Sequence, residues 1–339
     1  MVWRVGSAAV RASGRTARVL GRRMESTWKP AVQKGTLPVY DEALAYVEAD
    51  AAAQKARLQA AKQGNENAEL ADALEIASEI NLPHIRSEFT SGTYDLRRPV
   101  FRHLREQAWR LGGSLDQLVE RATLMNVLPD VVPEFTPTVD LQVLFGSGAG
   151  IGDHGGSGGD ILPGIFLSPA QTRAAPQITA TAFHSDERKY TVMLVDPDSP
   201  SDVSETFQTY VHWLVQDVPL SASQSSLPAS LNDVLPYIPP HPQQGTPYHR
   251  YTMLLFEQTA PVSLGEVPRE QMNVAAFAAQ HQLQLRGLHF WRARWTEANK
   301  KEVSAIYNDV LQIPEPRYGY VPRQDKLKDA LGVRHSKYY

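Results

Sequence analysis

Apolar positions follow two different periods along this chain, and the change from one to the other falls near Leu128. Before it they recur every three or four residues, the spacing of one helix face. Leu44, Val47, Ala51 and Leu58 mark a first helix between Pro38 and Gly64, with Asp41 and Glu42 in the first turn, where the helix dipole favours acids. Leu70, Leu74 and Ala77 mark a second, which follows Asn67 and stops before Pro83. A third opens at Pro99, carries Phe101, Leu104, Ala108 and Leu111, and stops at Gly112-Gly113. Ser114-Leu115-Asp116-Gln117 has the form of a capping box and starts a fourth, which ends before Pro129. These stripes are docking faces, because such helices need a partner surface.

After Leu128 the period drops to two. Val139, Leu141, Val143 and Phe145 alternate with Asp140, Gln142 and Leu144, which predicts a half-buried strand. Further strands are predicted over 178–183, 190–195, 210–215, 251–256 and 288–295, and a last helix up to about Leu311. The run 190–195 stops at Asp196-Pro197-Asp198, a strand followed by a turn. Short strands with Pro- and Gly-rich connections predict a mainly β fold, an antiparallel sandwich with a helical N-terminal extension and an extended C-terminal tail.

A Gly-dominated stretch at about 146–159 interrupts the β region. Within it Gly150-Ile151-Gly152-Asp153-His154-Gly155 satisfies the dinucleotide spacing Gly-x-Gly-x-x-Gly. That chemistry needs a helix N-terminus facing the pyrophosphate, whereas here more glycine and then Pro163 follow. A flexible surface insertion is expected instead. No run approaches 18 apolar residues, so no transmembrane helix is predicted. The chain has no cysteine, which excludes disulfides, thiolate nucleophiles and Cys-ligated metal sites.

Charge adds a compartment. Residues 1–24 hold Arg4, Arg11, Arg15, Arg18, Arg22 and Arg23 and no acid, and all but Arg23 share one stripe of a helix. That is the pattern of a mitochondrial presequence, with cleavage expected near Arg23-Met24. A basic arm touching nucleic acid is the alternative. The intact chain carries −3, and loss of the six arginines leaves −9. An acidic mature chain is no generic nucleic-acid binder, and no DNA partner is expected. Cations are nevertheless concentrated late. Arg286, Arg292, Arg294, Lys300 and Lys301 face only Glu297 within 285–301. The tail from Pro314 adds Arg317, Arg323, Lys326, Lys328, Arg334 and Lys337. These are candidate contacts to RNA or protein.

Chemistry gathers at four places: Asp196-Pro197-Asp198, Val211-His212-Trp213-Leu214-Val215, Pro239-Pro240 and His249-Arg250-Tyr251. If the strands that bear them are neighbours, two carboxylates, an imidazole, a guanidinium and a phenol converge at one sheet edge. Such a pocket suits an anionic or phosphorylated head group. Taken singly, each piece has a structural explanation: a turn, a packed histidine or an ion pair. In this order they resemble the phosphatidylethanolamine-binding protein (PEBP) family, over roughly residues 126–312. The resemblance implies a ligand pocket at Asp196, Asp198, His212, Pro239, Pro240, His249 and Tyr251, with Arg250 orienting a carboxylate.

Two departures qualify it. Val211 stands where many members have a second histidine, and the stretch His241–Tyr248 is longer than in small members, which reshapes the rim. The pocket is therefore expected to be vestigial. Presequence (1–24), helical extension (25–125), PEBP-like domain (126–312) and basic tail (313–339) together resemble ribosomal members of the family. That implies a non-catalytic role, with mitochondrial large-subunit ribosomal RNA and neighbouring ribosomal proteins as partners, and no cofactor or metal. Two other readings stay open: a mitochondrial PEBP-type binder of phospholipid head groups or other anions, and a hydrolase using Asp198 and His212. No Gly-x-Ser-x-Gly or His-Glu-x-x-His supports catalysis.

Overall fold

The computed structural model describes residues 28–319, apart from 31, 34, 65–67, 93, 147–157, 202–204 and 229–231. The arginine stripe of residues 1–24, most of the Gly-rich stretch, and Arg323, Lys326, Lys328, Arg334 and Lys337 lie outside the described residues.

Five helices come first: α1 (Pro38–Gln63), α2 (Ala68–Glu79), α3 (Pro83–Ser91), α4 (Pro99–Leu111) and α5 (Ser114–Leu124). Three of them open on proline at the first helical position, where the missing N–H costs no bond. Helix α3 is an addition to the sequence pattern, which treated Pro83 only as a stop. Its Ile85 is buried and its Phe89 packs beside it in a small core with Ala51, Leu82, Val100, Phe101 and Leu104. The capping box is a correction. Gly113, at φ 87°, caps α5 with no side-chain bond, and Ser114 is already helical.

The β region holds two antiparallel sheets. β1 (Asp140–Gly146) lies between β2 (Gly158–Asp160) and β3 (Gln177–Thr181). The larger sheet comprises β4 (Arg188–Ser201), β5 (Thr206–Leu220), β6 (Asn232–Leu235), β7 (His249–Gln258) and β8 (Leu283–Ala293), in the order β6-β5-β4-β7-β8. β2 replaces the far end of the expected insertion, because Gly158–Asp160 pairs with Leu144–Gly146. Between β7 and β8 sits α6 (Val274–Gln280), capped by the Asn273 side chain on the Ala276 N–H at 3.0 Å. After β8 come α7 (Lys300–Ala305) and a π-helical turn, Ile306–Leu311.

Both faces of the large sheet are buried, which explains why β4 and β7 are nearly continuous apolar runs. Val192, Leu194, Met253, Leu255 and Trp291 pack against the small sheet through Val143, Phe145 and Ile178. Their strand neighbours Met193, Val195, Leu254 and Phe290 face the other way, onto Leu118, Ala122, Leu128, Met272 and Phe277. Helix α5 thus completes the sheet's second core, although by sequence it groups with the helical extension. β4 also overruns its expected end. It continues through Asp196-Pro197-Asp198 to Ser201, with the pairing to β5 slipping between Asp196 and Ser199. Proline cannot donate to the ladder, so the strand bulges there where a turn was expected.

Candidate functional site

One end of the large sheet collects the polar residues singled out above. The end of β4 supplies Asp196 and Asp198, the start of β7 supplies His249, Arg250 and Tyr251, and β5 supplies His212, whose neighbour Val211 pairs with Val195. The two carboxylates do different work. Asp196 Oδ2 accepts from His249 Nδ1 at 2.7 Å, and its Oδ1 accepts the Asp198 N–H at 2.9 Å. Asp198 instead takes Arg250, whose Nε and Nη2 reach it at 2.8 and 2.7 Å. Nη1 of Arg250 reaches Asp130 at 3.0 Å and the Asn126 carbonyl at 2.5 Å. Arg250 therefore ties the sheet to the segment after α5. Burial pulls its pKa down, but the bonds to Asp198 and Asp130 outweigh that and hold it above the ordinary arginine value.

The centre of the site is filled by the chain's own rings. His212 donates from Nδ1 to the Ile238 carbonyl at 2.9 Å, and His241 from Nδ1 to the Pro239 carbonyl at 2.8 Å. Their rings lie 5.0 Å apart, and His241 also meets Tyr307 edge-on at 5.2 Å. Tyr251 touches His212 at 5.2 Å and stacks near His249 at 6.3 Å. Asp196, His212, Pro239, Pro240, His241, His249, Tyr251 and Tyr307 are all buried. Thr246 joins His249 Nε2 to the Gln243 carbonyl, at 2.8 Å to each.

Burial sets the charge states here. It drives the His212 pKa well below its ordinary value, and that of His241 down to about 4, so both rings are neutral at pH 7. Burial pushes the Tyr251 and Tyr307 phenols up. The Tyr251 hydroxyl and the Trp291 indole N–H have no hydrogen-bond partner among the described residues. Asp198 is bound to Arg250, and His212 through Nδ1 to the Ile238 carbonyl. No group of three His, Asp or Glu side chains is placed to hold a metal ion among the described residues.

All seven expected pocket residues thus meet at one sheet end, six of them buried and Asp198 half-buried. His241 and Tyr307 were missed as members. His241 lies in the Pro239–Pro242 stretch, where its burial has no sequence signal, and Tyr307 comes from the last helical turn, far along the chain. Thr246 and Pro247 line a cavity of about 390 Å³ beside this cluster, with Pro200, Ser201, Thr206, Phe207 and Tyr318.

The cationic candidates divide. Arg286 is bound to Glu257 at 2.6 Å and Lys300 to Glu297 at 3.2 Å. Arg292, Arg294, Lys301 and Arg317 have no carboxylate partner among the described residues.

Comparison with known proteins matches this architecture. The family model for phosphatidylethanolamine-binding protein covers residues 153–292. Protein TWIN SISTER of FT from Arabidopsis thaliana is 30% identical over 161 residues, 47% of this chain and 82% of that protein. The chain belongs to the phosphatidylethanolamine-binding protein family. Large ribosomal subunit protein mL38 from Schizosaccharomyces pombe (strain 972 / ATCC 24843) is 28% identical over 228 residues, 66% of this chain and 71% of that protein. Among solved structures, the phosphatidylethanolamine-binding protein from Plasmodium vivax has a TM-score of 0.39 at 22% identity, covering 52% of this chain and 97% of that one.

Proposed function

We propose that this protein is a structural, non-catalytic component of the mitochondrial large ribosomal subunit. Its PEBP domain serves as a docking body, and its extensions contact ribosomal RNA and neighbouring proteins. One observation carries the reading: the likeness to the ribosomal protein mL38 spans 66% of the chain, against 47% for the plant relative, so it extends beyond the part shared with that relative. The polar cluster supports it, because Asp196, Asp198, His212 and His249 are bound to partners within the chain, which favours architecture over exchange of a ligand. Sedimentation of a tagged copy in a mitochondrial lysate tests it. The protein should travel with the large subunit and the assembled ribosome at moderate salt. Recovery at the top of the gradient would sink the proposal.

A second reading, a mitochondrial PEBP-type binder of phospholipid head groups or other anions, is favoured by the unpartnered, buried Tyr251 hydroxyl and by a 390 Å³ cavity lined by Thr246, the partner of His249. Titration with O-phosphoethanolamine separates the two. Binding heat that vanishes in Tyr251→Phe would promote this reading; no heat would retire it.

A further inference from the structure

We propose that the end of β8 carries a stacking site for an unpaired RNA nucleotide. The rings of Phe166 and Tyr248 would receive the base, and Arg292 and Arg294 the flanking phosphates. The inference deepens the ribosomal reading and rests on it for the source of the RNA.

The site is assembled from three pieces of chain. Residues 164–167 add themselves to the outer edge of β8: the Gly164 N–H donates to the Phe290 carbonyl at 2.8 Å, and the Leu167 N–H to the Arg292 carbonyl at 2.8 Å. That places Phe166 beside Arg292. Tyr248, immediately before β7, meets Phe166 edge-to-face with 5.9 Å between ring centroids. The Arg292 guanidinium lies over both rings, 4.2 Å from the Phe166 centroid and 5.3 Å from that of Tyr248. Arg294, two residues on, lies 5.5 Å from Phe166. Arg292 Nε is fixed on the Gly164 carbonyl at 2.8 Å.

Three features point to a nucleotide. Phe166 and Tyr248 are 46% and 42% exposed and lie against each other, so ring surface is open to solvent at one spot. Neither arginine has a carboxylate partner among the described residues, although the arginine opposite Arg292 in the ladder, Arg250, has two. Guanidinium groups beside partly exposed aromatic rings offer what unstacked bases and their phosphates use. An A-form duplex is read by shape and backbone and has no base face to offer such rings. An acidic peptide would engage the arginines but would gain nothing specific from the ring faces.

The test uses the full chain and a fluorescein-labelled, unstructured 12-nucleotide RNA, with the same sequence as a duplex for comparison, read by fluorescence anisotropy. Phe166→Leu with Tyr248→Leu removes the ring faces and keeps apolar bulk; unchanged thermal melting confirms that the variant folds. The single strand should bind more tightly than the duplex, and the ring variant should lose about tenfold in affinity for the single strand only. Arg294→Gln should weaken both and reduce the salt slope by about 0.7 for the single strand. Equal loss for strand and duplex, no loss in the ring variant, or binding to a poly-glutamate peptide that depends on the rings would each overturn the site. Gradient sedimentation of the same variant keeps the two ideas apart. A wild-type chain absent from the large subunit yet binding RNA through the rings refutes only the ribosomal role. A ribosome-bound chain whose ring variant binds RNA and the subunit normally refutes only the stacking site.

Discussion

Arg250 and Arg292 stand directly opposite one another in the β7–β8 ladder, yet the protein treats them in opposite ways. Arg250 is enclosed by Asp198, Asp130 and a carbonyl of the segment after α5, and it pins three parts of the chain together. The Arg292 guanidinium lies over two exposed rings, and its side chain makes a single hydrogen bond, to a backbone carbonyl, among the described residues. The difference teaches how to tell a structural cation from an available one. A guanidinium whose donors are met by carboxylates has spent its charge on the fold, whereas one held by ring faces keeps its charge for a partner.

The largest expected effect follows from breaking the enclosed side. Arg250→Ala leaves Asp198 partly buried without its partner and should destabilise the domain by about 3–5 kcal/mol in urea unfolding. Arg292→Ala should cost no more than about 1 kcal/mol in the same assay. Comparable losses at the two positions would erase the contrast. Next comes His212→Ala, which removes a buried imidazole and its bond to Ile238. It should cost on the order of 1–3 kcal/mol while leaving large-subunit occupancy in cells intact. A well-folded His212→Ala that loses function would move the activity into the polar cluster.

The polar cluster also predicts a pH dependence. Burial depresses His212, His241 and His289, the latter two to about 4, so the folded protein keeps them neutral where the unfolded chain, with imidazoles near 6.5, binds protons. Their stabilising effect is complete above about pH 6.5 and shrinks as the pH falls towards about 4. Urea melts across that window should show stability falling with acid, and His241→Phe should make the slope shallower by about one proton. A smaller and more local effect is expected at Gly245. Its φ is +93°, and an added Cβ would lie 1.7 Å from the Tyr318 carbonyl oxygen. Gly245→Ala should therefore unseat the segment that Tyr318 anchors on Gln244, raising hydrogen exchange there with little change in the global melt. Unaltered exchange at Tyr318 would show that this contact does not hold the tail.

Much of the fold was legible as period. The alternation of Val139, Leu141, Val143 and Phe145 marked β1, and all four are in the core between the sheets. The Leu44-to-Leu58 spacing marked α1, and Pro99 marked the start of α4. Helices α3 and α6 escaped because each is short, and a proline or a single Asn cap says little until a packed surface confirms it. The pocket residues were legible as motifs, since Asp-Pro-Asp, His-Trp and His-Arg-Tyr are local strings.

The sequence by itself determined the switch from helices to strands near Leu128, the longer elements, the family, and seven of the side chains that gather at one sheet end, because periodicity and motif spacing are local properties. Only the tertiary structure decided what those side chains do. It brought His241 and Tyr307 into the cluster, gave Asp196 and Asp198 separate partners, and set Arg250 among carboxylates while leaving Arg292 over rings. The physical reason is that a side chain's charge, solvation and availability depend on neighbours remote in sequence, and chain closure alone chooses those neighbours.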